Sequence, residues 1–91
     1  MNKKEKLNNL NVDEVVLSEM TIEFLHLSVR SYNALKRAFI MNVADLYVFG
    51  ENLFKIRNLG VKSAREIMEA LIDLGLDVSV FKFEEYYQEE L

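Results

Sequence analysis

Apolar residues recur at spacings of three and four in two segments of the chain, with polar residues between them. Such spacing places the apolar side chains on one face of a helix. The pattern therefore predicts a long helix over residues 29–39 and another over residues 61–74, packed on each other. The positions expected to face the core are Leu35, Ala38 and Phe39 in the first helix, and Ala64, Ile67, Met68, Leu71 and Ile72 in the second.

The two predicted helices belong to an internal repeat with an offset of 32 residues. Residues 27–31 read Leu-Ser-Val-Arg-Ser, and residues 59–63 read Leu-Gly-Val-Lys-Ser. A repeat of this length is one supersecondary unit used twice. In each copy the small residue, Ser28 or Gly60, stands where a helix N-cap belongs. We also expect a positive φ at Gly60, because glycine adopts it at little cost. Continuing the offset pairs Leu35 with Ile67, Phe39 with Leu71 and Ile40 with Ile72.

Each copy places a cation in the first turn of its helix, Arg30 in the first and Lys62 in the second. A cation is unfavourable there, because the helix dipole is positive at its N-terminus. The arrangement becomes favourable when the cation and the free backbone N–H groups face a common anion, for which phosphate is the obvious candidate. Two such helix starts predict a site for the backbone of a nucleic acid.

Shorter elements are predicted between and around the long helices. Residues 21–25 are expected to form one helical turn, and Asn42 to cap a short helix that ends before Gly50. Residues 51–56 are expected to form another short helix. Gly75 stands at the left-handed position that ends a helix, and Leu76 follows it as a Schellman motif requires.

Near the N-terminus two alternatives remain open. Asn11 is a suitable cap for a turn that begins at Val12, whereas the β-branched pair Val15 and Val16 favours an extended segment. Taken together, the patterns predict an all-α fold of four to five helices, with N- and C-terminal extensions. The side chains expected to be buried are Leu27, Leu35, Phe39, Leu46, Leu53, Ile56, Leu59, Ile67 and Leu71.

Charge is unevenly distributed along the chain of 91 residues, which has a formal net charge of −4. Residues 27–65 carry seven cations and two anions, a net charge of +5, whereas the remaining residues sum to −9. A basic centre beside an acidic end can still present one positive face.

Composition argues against several classes of function. The protein has no Cys and a single histidine, His26, so we expect no disulfide, thiolate chemistry, metal site or other cofactor. No carboxylate has a basic or nucleophilic partner in sequence, and we expect no catalytic residues. No apolar run approaches membrane-spanning length, and no apolar stretch follows the charged start. We therefore expect a cytoplasmic protein that is not an enzyme and has no membrane partner.

Two longer motifs carry a resemblance to a known family. The first is Leu-Ser-Val-Arg-Ser-Tyr-Asn-Ala-Leu-Lys at residues 27–36, and the second is Lys-Ile-Arg-Asn-Leu-Gly-Val-Lys-Ser at residues 55–63. With these motifs, residues 22–78 resemble the C-terminal domain of the bacterial RNA polymerase alpha subunit. The polymerase assembly domain of that subunit does not precede the module here, so we expect a free-standing copy if the sequence is complete.

The resemblance implies a compact all-α domain of four to five helices with two helix-hairpin-helix-like elements. It also implies binding to the minor groove of A/T-rich double-stranded DNA upstream of promoters, and docking to RNA polymerase or transcription regulators. The DNA-contacting positions of the family correspond to Arg30, Asn33, Gly60, Lys62 and Ser63. Asn58 and Glu66 match neighbouring positions. Val61 departs from the pattern, because a second lysine is common there, and its absence removes one phosphate-facing charge.

We divide the sequence into an N-terminal extension (1–20), the helical domain (21–78) and an acidic, aromatic C-terminal extension (79–91). In the last segment Phe81, Phe83, Tyr86 and Tyr87 are expected to pack on the domain itself, against residues 15–17, or across a homodimer. Two rival functions remain. The first is a protein-interaction adaptor that binds RNA polymerase or a regulator through the acidic aromatic end, and the second is an accessory domain for DNA repair or recombination.

Overall fold

The structure of the protein is a computed structural model that describes residues 14–88. Within that range the protein forms five α-helices, three 3-10 helices and no strand, which confirms the predicted all-α fold. The α-helices are α1 (Glu14–Glu19), α2 (Val29–Arg37), α3 (Val43–Phe49), α4 (Val61–Asp73) and α5 (Phe83–Tyr86). The 3-10 helices span Ile22–Leu25, Gly50–Lys55 and Ser79–Phe81.

The first described residues decide only part of the N-terminal alternative. Asn11 and Val12, the residues of the predicted turn, lie outside the described residues. Val15 and Val16 belong to α1, so the extended alternative for this pair is wrong. Leu17 of the same helix is fully buried, and α1 packs against α3.

Both long helices begin where the repeat predicts. Ser28 is the N-cap of α2, and its Oγ accepts a hydrogen bond from the backbone N–H of Ser31 at 3.3 Å. Gly60 is the N-cap of α4, but its φ is −84°, so the expected positive φ at this glycine is wrong. The left-handed residue of each turn instead stands two positions earlier, at His26 (φ 51°) and Asn58 (φ 70°). Asn and His tolerate this region better than most residues, so the turn does not require glycine at position 60.

The second long helix ends in the predicted Schellman motif. The N–H of Gly75 donates to the carbonyl of Ile72 at 2.8 Å, and the N–H of Leu76 donates to the carbonyl of Leu71 at 3.0 Å. This pair of bonds satisfies carbonyls that the end of a helix leaves free. Gly75 has a φ of 82°, a conformation that glycine adopts without strain.

The first long helix ends in the same motif, with a phenylalanine at the left-handed position. The N–H of Phe39 donates to the carbonyl of Lys36, and that of Ile40 donates to the carbonyl of Leu35, each at 3.0 Å. Because α2 has nine residues and α4 has thirteen, the offset of 32 at the helix starts becomes 36 at the ends. Leu35 is therefore the structural counterpart of Leu71, and the repeat register predicted for the helix ends is wrong.

Most residues expected in the core are buried, and α2 packs on α4 as predicted. Phe39 is the clearest exception: it is 85% exposed, because α2 ends at Arg37 and the phenylalanine lies beyond the inward-facing stripe. Leu27 and Ile56 are only partly buried, because they lie in the turns that lead into the long helices. Ile72 was expected to face inward but is more than half exposed. The expected residues that are buried are Leu35, Leu46, Leu53, Leu59, Ile67 and Leu71.

The predicted cap of the short helix α3 is confirmed. The Asn42 side chain accepts a hydrogen bond from the N–H of Asp45 at 2.9 Å. In return, Asp45 accepts one from the N–H of Met41 at 3.0 Å. These reciprocal bonds satisfy backbone donors at the helix start, as in a capping box. An isolated bridge between Thr21 and Asn42 holds the start of α3 beside the first 3-10 helix.

The C-terminal segment packs on the domain itself. Phe81 is fully buried, 4.9 Å from the ring centre of Tyr47, and the Tyr87 ring centre lies 5.4 Å from that of Phe54. The Tyr47 hydroxyl donates to the carbonyl of Asp77 at 2.8 Å. Burial raises the pKa of Tyr47 well above its usual range.

None of the helices formed by residues 14–88 combines the length and apolarity needed to cross a membrane.

Candidate nucleic-acid interface

The two related helix starts are joined by one carboxylate, that of Glu66 on α4. It accepts hydrogen bonds from the backbone N–H of Ser28 at 2.6 Å and from the Ser28 hydroxyl at 2.9 Å. It also accepts a bond from the Ser31 hydroxyl at 2.5 Å. Hydrogen bonds to a charged acceptor are among the stronger ones in proteins. Glu66 therefore fixes the start of α2 against the side of α4.

The ionisation of Glu66 follows from these contacts. Partial burial raises the pKa of the carboxyl, but the hydrogen bonds from Ser31 and Ser28 favour its charged form. The hydrogen bonds prevail, and the pKa of Glu66 lies below its ordinary value. At neutral pH the side chain is an anion whose oxygens are already engaged inside the protein.

A cleft of about 460 Å³ opens between the two helix starts. Arg30, Gly60, Lys62 and Ser63, four of the five residues predicted for the site, line it. Asn33 does not; its side chain is exposed on α2, three residues after Arg30. The remaining lining residues are Ser28, Val61 and Glu66.

The predicted site residues present different groups to this cleft. Arg30 and Lys62 are exposed, and within residues 14–88 neither has an ion pair or a ring contact. Ser63 is 7% exposed, so its side chain offers little surface. The start of α4 has no side-chain cap, whereas the Ser28 hydroxyl caps α2. The backbone donors at the start of α4 are therefore the more open of the two sets.

Sequence reasoning gave Glu66 only a neighbouring role and gave Ser31 none. Both copies carry serine as the third residue of the helix, and both serines, Ser31 and Ser63, are buried. This shared serine was the available signal of an inward-facing polar position. Glu66, which accepts the hydrogen bond of the Ser31 hydroxyl, lies 35 residues away in sequence, and no local pattern reveals such a pair.

Three other cations, Lys36, Arg65 and Lys82, have partners within the protein. The ammonium of Lys36 lies 5.7 Å from the ring centre of Tyr32, and the guanidinium of Arg65 lies 5.7 Å from that of Phe83. Lys82 forms an ion pair with Glu51 at 3.6 Å.

Across the described part of the protein, no cluster of three or more His, Asp or Glu side chains is arranged to hold a metal ion.

The fold and the cleft define a class of protein, a small all-α domain in which two repeated helix starts share a basic cleft. The protein belongs to the family described as the C-terminal domain of the bacterial RNA polymerase alpha subunit, whose family model matches residues 2–73. This family is a component of transcription, and its identification confirms the resemblance carried by the two motifs.

Two curated relatives are DNA-directed RNA polymerase alpha subunits from Clavibacter michiganensis subsp. michiganensis (strain NCPPB 382) and Clavibacter sepedonicus. Each is 51% identical over 70 residues, which cover 74% of this sequence. The matched part makes up 21% of the length of each relative, so this sequence spans about a fifth of those subunits. No solved structure gives a significant match.

Proposed function

We propose that this protein is a DNA-binding module of transcription that contacts the minor groove of A/T-rich double-stranded DNA through the cleft between its two helix starts. The observation that carries the proposal is the meeting of the α2 and α4 N-termini at one cleft, with Arg30 and Lys62 exposed at its edge. Cations and helix N-termini that face the same space are arranged for an anion.

Phosphate is the anion that best fits this arrangement. The uncapped start of α4 offers backbone N–H groups that a phosphate oxygen can accept, and Lys62 adds charge beside them. Arg30 stands at the corresponding position of the other copy, so the two cations can contact both sides of one groove. Two contacts related by a repeat suit the regular spacing of phosphates along a duplex.

The minor groove of A/T-rich DNA is the preferred target for two reasons. It is narrow, and its enhanced negative potential attracts arginine and lysine side chains. It is also the site that resemblance to the family implies for Arg30, Asn33, Gly60, Lys62 and Ser63. In this proposal Glu66 makes no DNA contact of its own but keeps the two helix starts at a fixed separation.

Family membership supports a position on or beside RNA polymerase, with polymerase or transcription regulators as protein partners. The proposed module binds and positions, and we assign it no catalytic step. The repair or recombination alternative receives no support from the family. The acidic, aromatic end remains the rival interface for protein partners.

The proposal is tested by titrating the full-length protein with an A/T-rich and a G/C-rich duplex at two salt concentrations. We expect tighter binding to the A/T-rich duplex and a steep fall in affinity with salt. Arg30→Ala and Lys62→Ala should each weaken binding and reduce the salt slope by about one, without changing the melting temperature. Lys55→Ala is the matched control, because Lys55 is an exposed cation that does not line the cleft.

Two results would contradict the proposal. One is a parent protein that binds neither duplex at low salt. The other is a pair of cleft variants that bind like the Lys55→Ala control, which would assign any DNA affinity to overall charge rather than to the cleft.

The adaptor alternative has less support from the packing. Phe81 and Tyr87 are buried against the domain and Phe83 is partly buried, so Tyr86 is the most exposed of the four aromatics. Phe81→Ala should therefore lower the melting temperature, as expected for a packed extension. Tyr86→Ala should cost less stability, because the Tyr86 ring contacts Phe54 and Tyr87 but is 46% exposed. A loss of polymerase binding in Tyr86→Ala, with DNA binding intact, would instead favour the adaptor.

A further inference from the structure

We propose that a second surface, formed by the end of α2 and the turn before Gly60, docks an acidic peptide segment of a partner protein. We call it the Phe39 surface, and it consists of Arg37, Ala38, Phe39, Ile56, Arg57 and Asn58. None of these residues lines the cleft between the helix starts, so the inference is independent of the proposed DNA contact.

Phe39 is the first observation. Its side chain is 85% exposed, and its φ of 62° is a left-handed conformation that strains a bulky residue. The other copy of the repeat closes its helix with Gly75, which supplies the same backbone turn without strain. The phenyl ring is therefore not needed to end the helix, and it contributes little to the core. A singly exposed apolar side chain is ordinary, so the strained backbone that presents this ring is what marks Phe39 as a candidate contact for a partner.

The second observation is a cleft lined by Ala38, the residue that precedes Phe39. It has a volume of about 360 Å³ and is lined by Arg37, Ala38, Ile56, Arg57 and Asn58. Ala38 and Ile56 are half-buried and provide an apolar floor, while the two arginines are exposed. Asn58, with a φ of 70°, places a second left-handed residue at the same surface.

The charges of this surface indicate the occupant. No carboxylate lines the cleft, and within the described residues neither arginine has an ion pair or a ring contact. Lys36, Arg65 and Lys82, in contrast, all have partners within the protein. Arginine pairs well with carboxylates because its planar fork can donate two hydrogen bonds to one carboxylate.

The apolar part of the surface favours a peptide over a nucleic acid. A phosphate backbone would use the two arginines but would leave Phe39, Ala38 and Ile56 without a counterpart. A peptide that carries carboxylates around one large apolar side chain uses both parts. In the proposed complex its apolar side chain lies on Ala38 and Ile56, and its carboxylates reach Arg37 and Arg57. Phe39, which follows Ala38 in the chain, offers further exposed apolar surface.

The test uses the full-length protein and a fluorescent peptide in which one leucine is flanked on both sides by glutamates. We expect the Arg37→Gln/Arg57→Gln variant to lose about tenfold in affinity for this peptide, since it removes both charged contacts. Phe39→Gly should lose a similar factor while its melting temperature does not fall, because glycine relieves the strained backbone. Arg30→Gln is the matched control and should bind the peptide like the parent.

Variants of the peptide test the charged and the apolar contacts separately. Replacing the glutamates by glutamine, or the leucine by serine, should each weaken binding to the parent. The proposal is overturned if the double arginine variant binds the peptide like the parent. It is also overturned if that variant loses as much affinity for an A/T-rich duplex as Arg30→Gln does, because the surface would then belong to the nucleic-acid interface. Light scattering that shows the parent pairing through this surface, and the variant monomeric, would overturn it as well and assign the surface to a second copy.

Discussion

The two copies of the repeat begin alike and end differently. Both start from a left-handed residue, His26 or Asn58, followed two positions later by the N-cap Ser28 or Gly60. Both close with the same pair of hydrogen bonds, but α4 continues for one more turn than α2. Corresponding residues therefore fix the turn and the helix start in both copies, whereas the end of each helix depends on where the next left-handed residue stands.

The helix starts also differ in what they leave open to a ligand. At the start of α2 two backbone donors are satisfied within the protein, because the Ser28 hydroxyl accepts the N–H of Ser31 and Glu66 accepts the N–H of Ser28. The start of α4 at Gly60 has no side-chain cap. The start of α2 therefore links the two copies through Glu66, while the start of α4 retains backbone donors that can bind an anion.

The largest expected effect concerns the structural counterparts Leu35 and Leu71, which are both fully buried. Either Leu→Ala change removes a buried side chain and leaves a cavity, so the free energy of unfolding should fall by about 2–5 kcal/mol. Chemical denaturation followed by circular dichroism measures this loss. A loss of that size can unfold a domain this small.

The matched controls are Phe39 and Ile72, which the 32-residue offset pairs with Leu71 and Ile40 respectively. Because both are largely exposed, Phe39→Ala and Ile72→Ala should change the free energy of unfolding far less. If Phe39→Ala destabilises the domain as much as Leu71→Ala does, the helix ends correspond in the 32-residue register instead.

The sequence was sufficient for the parts of the fold that depend on neighbouring residues. The caps at Ser28 and Asn42 and the helix end at Gly75 follow from local side-chain chemistry. The end of α2 could not be predicted, because nothing local indicates that Phe39 takes a conformation normally left to glycine or asparagine.

In the candidate site, too, local features were predictable from the sequence and long-range contacts were not. The repeat predicted that Arg30, Gly60, Lys62 and Ser63 occupy equivalent helix starts, and the structure places them around one cleft. The contact between Glu66 and α2 was not predictable, because it depends on how two helices far apart in sequence pack on each other. The tertiary arrangement of the helix starts is thus the information that the pattern lacked.

Breaking the link between the copies is the second prediction. Glu66→Ala leaves the buried Ser31 hydroxyl without its carboxylate acceptor and should lower the free energy of unfolding by about 1–3 kcal/mol. Glu66→Gln keeps an acceptor but removes the charge, and should cost less. Denaturant titrations of the three proteins at neutral pH measure the difference.

The same contact predicts a pH dependence. The pKa of Glu66 in the folded protein is lowered from its ordinary value of 4.5. The charged form of Glu66 therefore stabilises the fold at pH values above 4.5. That contribution is lost as the pH falls through 4.5 and then through the lower folded pKa. The stability gap between the parent and Glu66→Gln should therefore narrow on acidification. A gap that stays constant from neutral pH to about pH 3 would show that the charge of Glu66 has no part in the link.

The third prediction exchanges the residues that end the two helices. Gly75→Ala forces a side chain into a left-handed position and should destabilise the domain by about 1 kcal/mol, although open space surrounds the site. Phe39→Gly relieves the same strain in the other copy and should stabilise by about 1 kcal/mol. In a domain of this size either change corresponds to a shift of about 4–8 °C in melting temperature. Two shifts of the same sign would contradict the equivalence of the helix ends.

The smallest expected effect on stability comes from Gly60→Ser, which gives the second copy the cap of the first. A side chain at position 60 meets no atom within 4 Å, and the φ of −84° suits any residue, so the domain should fold normally. Serine caps helices slightly better than glycine, and stability should rise by a few tenths of a kcal/mol. The new hydroxyl would accept the N–H of Ser63, as Ser28 accepts that of Ser31.

Duplex affinity of the same variant separates the two roles of Gly60. If the open backbone donors at the start of α4 bind a phosphate, the serine hydroxyl competes for one of them and its side chain occupies the approach to the cleft. We therefore expect Gly60→Ser to bind an A/T-rich duplex more weakly than the parent while its melting temperature is equal or higher. Ser28→Gly is the reciprocal control, because it removes the cap of α2. It should lower the stability of the domain. It should not raise duplex affinity, because Glu66 still occupies that helix start. Unchanged duplex affinity in Gly60→Ser would show that the backbone at the start of α4 is not a phosphate contact, and would leave the side chains of Arg30 and Lys62 as the proposed phosphate contacts.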